Sequence, residues 1–231
     1  MAITINCLMC QNVIIEKPSI KQLLQLKPLL KPHICQICLQ QFEPISGNQC
    51  SDCSRPLLTG ILCSDCQHWR QLYPQQHFKN QALFTYNRAM QLYFQRYKGQ
   101  GDYQLRLLFE RDIQTRFPVK PNVAYVPIPS DEQHQQARGF NPVQGLFENC
   151  FPLMSLLKKR PTEKGQAQKN RAERLASPQF FELIPQKLPD KLQSITILDD
   201  IYTTGRTLWH AQQCLRARYP QITINAITLA R

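Results

Sequence analysis

Apolar residues change their spacing along this chain, and the changes outline its elements. Ala82 to Tyr86 is a short apolar run that reads as a strand. Arg88 to Tyr97 and Tyr103 to Phe117 carry apolar positions three and four apart, which predicts two helices, with Lys98-Gly99-Gln100-Gly101 as the breaker between them. Val123 to Ile128 is continuously apolar, as a buried strand is, and is closed by Pro127 and Pro129. Asn141 followed by Pro142 is a favoured helix start, a capping side chain and then a proline whose missing N–H is not needed. A polar stretch from 158 to 178 follows, then a buried strand at Ile195 to Leu198, a helix at Thr207 to Arg218 and a strand at Ile222 to Leu229. Strands alternating with helices predict an α/β fold, a mainly parallel sheet with helices on both faces.

The first third has another texture. Its only repetition is four Cys-x-x-Cys pairs, Cys7/Cys10, Cys35/Cys38, Cys50/Cys53 and Cys63/Cys66. The polar, turn-prone Pro74-Gln75-Gln76-His77 marks a boundary, so residues 1–78 are expected to form a small cysteine-rich module and residues 79–231 the α/β unit.

Composition narrows the class. With 231 residues and 42% hydrophobic content the chain can build a core, which excludes a disordered or fibrous protein. No apolar run approaches the roughly 18 residues that span a bilayer, and Met1 to Cys7 lacks the basic and apolar regions of a secretory signal. A cytoplasmic protein is expected, and in that compartment paired cysteines serve metals or catalysis more than disulfides. The formal net charge of +12 speaks of partners, namely phosphates, nucleic acid or an anionic membrane surface.

Each Cys-x-x-Cys knuckle turns two thiolates toward one point, and two knuckles complete a tetrahedral four-thiolate zinc site. Four pairs within 66 residues predict one or two structural zinc ions. Two sequential sites are preferred, Cys7/Cys10 with Cys35/Cys38 and Cys50/Cys53 with Cys63/Cys66; interleaved pairing, or one zinc with degenerate partners, stays open. Disulfides, buried thiols and an iron–sulfur cluster are the competing uses of these residues. His33 and His68 lie near the pairs as substitute ligands or plain polar residues, while Cys150 and Cys214 read as core thiols.

The segment Ile195-Thr196-Ile197-Leu198-Asp199-Asp200-Ile201-Tyr202-Thr203-Thr204-Gly205-Arg206-Thr207 carries the most chemistry. A strand delivers two acids at its carboxyl end, where open α/β sheets bind ligands. The turn after it runs into a helix, so its N–H groups and the positive end of the helix dipole face an anion. The acids accept from sugar hydroxyls or bind Mg2+. Together these features describe a sugar-phosphate site, and no Gly-x-x-x-x-Gly-Lys-Ser/Thr loop of nucleotide hydrolases is present.

This segment resembles the phosphoribosyl pyrophosphate (PRPP) signature of type I phosphoribosyltransferases. The resemblance implies that Asp199 and Asp200 hold the ribose hydroxyls, partly through Mg2+, as the catalytic acids. It places Thr203, Thr204, Gly205, Arg206 and Thr207 around the 5-phosphate. Thr203 stands where purine enzymes typically have an acid, which argues against purine salvage.

Further motifs follow in a fixed order: Arg96-Tyr97-Lys98-Gly99, Val126-Pro127-Ile128-Pro129, Arg138-Gly139-Phe140-Asn141, Lys169-Asn170-Arg171-Ala172-Glu173-Arg174-Leu175 and Thr228-Leu229-Ala230-Arg231. With the cysteine pairs, this order resembles the ComF family of late competence proteins in its Gram-positive form. That resemblance implies a type I phosphoribosyltransferase-like domain behind a zinc module. It also implies a role in DNA uptake during natural transformation, on the cytoplasmic side of the uptake machinery and beside a helicase-like partner.

Related enzymes bind pyrophosphate in the loop after Pro129, here with Ser130, and close a mobile loop over it; Arg138 reads as an anion contact or as part of a helix entry capped by Asn141. The matching stretch, Lys158 to Arg174, holds seven basic residues, among them Lys158 and Arg171, against two acidic ones, a net +5. A solvated basic loop and a single-stranded DNA contact are the other readings of that charge. The sequence has no recognisable acceptor-binding hood. Three functions therefore stand beside one another: a PRPP-binding competence protein, an active phosphoribosyltransferase with an unknown acceptor, and a non-catalytic single-stranded DNA adaptor.

Overall fold

Four strands rich in aliphatic and β-branched residues lie side by side and parallel in a computed structural model that describes residues 3–16, 32–160 and 179–231. The chain enters through an antiparallel pair, β1 (Ile3–Asn6) and β2 (Val13–Glu16), then two helices that each start inside a cysteine pair, α1 (Gln36–Leu39) and α2 (Ser64–Leu72). The α/β unit continues with β3 (Asn80–Phe84), α3 (Arg88–Phe94), α4 (Glu110–Arg116), β4 (Val123–Pro127), α5 (Glu132–Arg138) and α6 (Pro142–Phe147). A small antiparallel pair, β5 (Leu157–Lys159) and β6 (Phe181–Leu183), precedes β7 (Ser194–Ile201), α7 (Arg206–Arg218) and β8 (Thr223–Ala230).

The sheet order is β3-β8-β7-β4, with every neighbouring pair parallel. Alternation along the strands feeds two apolar layers. On one face Tyr125, Leu198, Ile227 and Leu229 meet Tyr93, Tyr97, Phe109 and Phe147; on the other Val126, Ile195, Ile197 and Ala226 meet Leu208, Trp209, Ala211 and Leu215 of α7. Helices thus cover both faces, as parallel sheets require. The cysteine-rich part is continuous with this body: Ile45 donates to the Leu83 carbonyl at the free edge of β3, and Cys50, Cys53, Cys63 and Cys66 share the α7-side apolar layer.

Two expected helices are interrupted. The Arg88 to Tyr97 pattern is an α-helix only to Phe94, after which Gln95–Gly99 widens to a single π-turn. Tyr103 to Phe117 is a 3-10 turn over Tyr103–Leu107 followed by α4. The strands keep their predicted places within two or three residues, and Asn141 caps α6 by accepting from the Val143 and Gln144 N–H groups.

Candidate functional site

All four parallel strands end at one edge, and the predicted residues gather there. Asp199 and Asp200 are the sixth and seventh residues of β7, and both are nearly buried, at 8% and 9% exposure. Asp199 accepts from the Asp200 N–H, which fixes one carboxylate over the strand end. Burial and the neighbouring Asp200 charge push the Asp199 carboxyl up to about 8, and the charges of Lys98 and Lys159 act against that rise. The Lys98 ammonium is ion-paired with Asp200. Two carboxylates with too little positive charge about them form a site that favours a cation or hydroxyl donors.

Lys98 comes from the π-turn, a bulge form frequent at functional sites. The same turn points Arg96 the other way, where it donates to the Leu8 and Met9 carbonyls and pairs with Asp102. Arg138, expected near pyrophosphate, donates from Nε to the Lys98 carbonyl at 2.6 Å and so braces the turn that carries Lys98. Ser130 stands in the loop between β4 and α5, beside β7 through the Ile128 N–H to Leu198 carbonyl bond.

The turn from Thr203 to Gly205 leads into α7, with Gly205 as the capping residue at φ 83°. Among the described residues, no backbone carbonyl accepts from the N–H of Thr203, Thr204 or Gly205. Three consecutive donors at a helix start form a concavity for an anion. Thr207 lies in the first turn of α7. The Arg206 guanidinium packs over the Phe180 ring and donates to His210.

Of the basic stretch, Lys158 and Arg160 both pair with Glu182 across the β5–β6 hairpin. Lys159, between them, is one whose charge acts on Asp199. Arg171 and its neighbours lie outside the described residues.

The cysteines form two groups, Cys7/Cys10/Cys35/Cys38 and Cys50/Cys53/Cys63/Cys66, each with its sulfurs within 4.8 Å of one another. This is the sequential pairing. Sulfur separations of 3.7 Å (Cys10 to Cys35) and 3.6 Å (Cys53 to Cys63) match the roughly 3.8 Å between ligands of a tetrahedral site with zinc–sulfur bonds of about 2.3 Å. The groups repeat one construction. The Cys7 N–H donates to the Asn12 carbonyl and Cys50 does the same to Arg55, closing two knuckles around the left-handed residues Gln11 and Ser54. Cys35 and Cys63 then cap α1 and α2 and donate backbone N–H bonds to Cys7 Sγ and Cys50 Sγ. Thiol hydrogen bonds with Cys53 and Cys66 push Cys50 down, and those with Cys50 and Cys53 push Cys66 up. Four thiolates at this spacing need a shared cation, so both groups could hold zinc. Neither His33 nor His68 belongs to a group.

Two long-range side chains also reach this edge. Trp69 of α2 donates from Nε1 to the Thr204 carbonyl at 2.7 Å, and Arg231 donates to the Tyr202 and Thr203 carbonyls at 3.1 and 2.6 Å. Lys98, Tyr202 and Arg231 stand inside motifs visible in the sequence, whereas Trp69 does not. Among the described residues no helix is long and apolar enough to cross a membrane.

Comparison with known proteins follows the same lines. The chain is similar to "Competence protein ComFC" of Bacillus subtilis (strain 168), 31% identical over 235 residues that cover 97% of this chain and 94% of that protein. It is similar to "Competence protein ComFC" of Streptococcus pneumoniae, 36% identical over 184 residues, 79% of this chain and 80% of that one. "Competence protein F" of Haemophilus influenzae is 24% identical over 209 residues, 79% of this chain and 90% of that one. No protein-family model matches the chain.

Proposed function

Because the chain belongs to the ComFC family of competence proteins, we propose that it serves DNA uptake in natural transformation as a PRPP-binding protein whose site is the Asp199–Asp200 edge. Residues 79–231 supply that site and residues 1–78 a module holding two structural zinc ions. It would work on the cytoplasmic side of the uptake apparatus, beside a helicase-like partner, with single-stranded DNA as the nucleic acid handled there.

The observation that carries the reading is the β7–turn–α7 junction. Two nearly buried acids end the strand, and three N–H groups without backbone acceptors begin the helix. The acids suit the ribose hydroxyls and the N–H groups the 5-phosphate. Mg2+ arriving with PRPP would supply the positive charge that the raised Asp199 carboxyl lacks, with Asp199 and Asp200 holding it. Lys98, ion-paired with Asp200, and Lys159, whose charge acts on Asp199, would supply positive charge for the pyrophosphate oxygens. These features favour ligand binding, and Thr203 supplies no acid for an acceptor base.

Calorimetry tests this. PRPP with Mg2+ should bind the zinc-loaded full chain and fail to bind the Asp199→Asn/Asp200→Asn variant. Equal binding by both proteins would remove the site.

A further inference from the structure

The second four-cysteine group is wired to the anion turn through Arg231 and Trp69. Arg231 donates from Nε to Cys53 Sγ at 3.2 Å while its Nη1 holds the Tyr202 and Thr203 carbonyls. Its guanidinium lies 4.6 Å from the centre of the Tyr202 ring, and the side chain is 5% exposed. The Tyr202 hydroxyl abuts Gly205, where an added Cβ would stand 2.1 Å from that oxygen. Trp69, three residues beyond Cys66, takes the Thr204 carbonyl. The carbonyls of residues 202, 203 and 204 are therefore all held from the metal module's side.

Peptide geometry turns this into a statement about the ligand. In a trans peptide the C=O of one residue and the N–H of the next point in opposite directions, and all described peptides are trans. Holding those three carbonyls toward the cysteines aims the N–H groups of Thr203, Thr204 and Gly205 away from them, to the ligand side. A metal-bound thiolate is a fixed anion, so its bond to the Arg231 guanidinium is charge-assisted and stronger than one to a neutral thiol.

We propose that metal in the Cys50/Cys53/Cys63/Cys66 group preorganises the phosphate-binding turn through Arg231 and Trp69, so that occupancy of this group sets affinity for a phosphate monoester. Arg231 is the positioning residue. It acts through the backbone of the turn and touches no ligand. The Cys7/Cys10/Cys35/Cys38 group, held by Arg96 on the other side of Lys98, has no such link among the described residues. The inference rests on the PRPP reading of the turn.

The test uses the full chain and two readouts, PRPP·Mg2+ affinity by calorimetry and intrinsic tryptophan emission. The sequence has two tryptophans, Trp69 and Trp209, stacked 5.4 Å apart against the turn, so emission reports this region alone. Arg231→Gln and Trp69→Phe should each bind PRPP at least tenfold more weakly while keeping the wild-type zinc content. Cys63→Ser should lose one zinc, shift the emission and weaken binding at least as much. Cys10→Ser should lose the other zinc with emission unchanged and affinity within twofold. Wild-type affinity in zinc-replete Arg231→Gln, or equal losses in Cys10→Ser and Cys63→Ser, would overturn the coupling with the PRPP reading intact. If wild type itself binds no PRPP, the PRPP reading fails; the coupling to the turn is then decided by emission, and an unchanged spectrum in Cys63→Ser overturns it.

Discussion

Gly205→Ala separates two costs that the turn imposes on its glycine. The first is conformational: at φ +83° any L-residue with a Cβ loses about 1–2 kcal/mol relative to its preferred backbone. The second is steric. The new methyl would stand 2.1 Å from Tyr202 Oη, 2.4 Å from Cζ and 2.9 Å from Cε1. Tyr202 is 2% exposed and lies under the Arg231 guanidinium, so its ring has no free direction to yield. Overpacking of this kind costs about 1–3 kcal/mol. Gly139, which ends α5 at φ +81° with nothing within 4 Å of its would-be Cβ, carries only the first cost and is the internal control. In equilibrium denaturation of the zinc-loaded protein, Gly139→Ala should lose about 1–2 kcal/mol and Gly205→Ala about 2–5 kcal/mol. Gly205→Ala should also weaken PRPP, because relief of the clash moves either the turn or Tyr202. A Gly205→Ala variant no less stable than Gly139→Ala would refute the close packing of Tyr202 against the turn.

Two other predictions concern charge and metal. Asp199 holds its proton more tightly folded than unfolded, from about 3.8 to about 8, so the associated stability is present at low pH and is lost as pH rises through 8. Melting of the ligand-free, zinc-loaded protein should therefore fall between pH 6 and 8.5, and Asp199→Asn should flatten that slope; parallel slopes for the two proteins would contradict the assignment. Mass spectrometry under non-denaturing conditions should find two zinc ions per chain. Arg96→Ala, which frees the Leu8 and Met9 carbonyls, should release one of them to a mild chelator several-fold faster than wild type, and unchanged release would place the anchor elsewhere.

What the sequence revealed and what it hid divide along contact distance. The β7 strand, its acids and the α7 start were legible because every part of that device lies within thirteen consecutive residues. The four cysteine pairs were legible as metal ligands, but intervals of 24, 11 and 9 residues all close easily as local loops, so sequential pairing was a preference that only the structure decides. Trp69 to Thr204 spans 135 positions and Arg231 to Cys53 spans 178, so neither contact leaves a local pattern. The single helix expected at Tyr103 to Phe117 failed for another reason. Leu105, Leu108, Phe109 and Ile113 fall on one helical face by count, and they are equally buried when a 3-10 turn supplies Leu105, a short turn Leu108 and Phe109, and α4 Ile113. Periodicity does not distinguish those solutions. In the basic stretch, composition pointed to Lys158, whereas β-strand alternation gives Lys158 to Glu182 and turns the charge of Lys159 toward Asp199.

The most direct measurement of the central claim is the phosphorus NMR spectrum of PRPP with Mg2+ during titration with zinc-loaded protein, in which the 5-phosphate and pyrophosphate resonances are read separately. The N–H groups of Thr203, Thr204 and Gly205 should shift and broaden the 5-phosphate resonance in wild type, and Asp199→Asn/Asp200→Asn should abolish the change. A 5-phosphate line that stays sharp and unshifted in saturating wild-type protein would contradict the account.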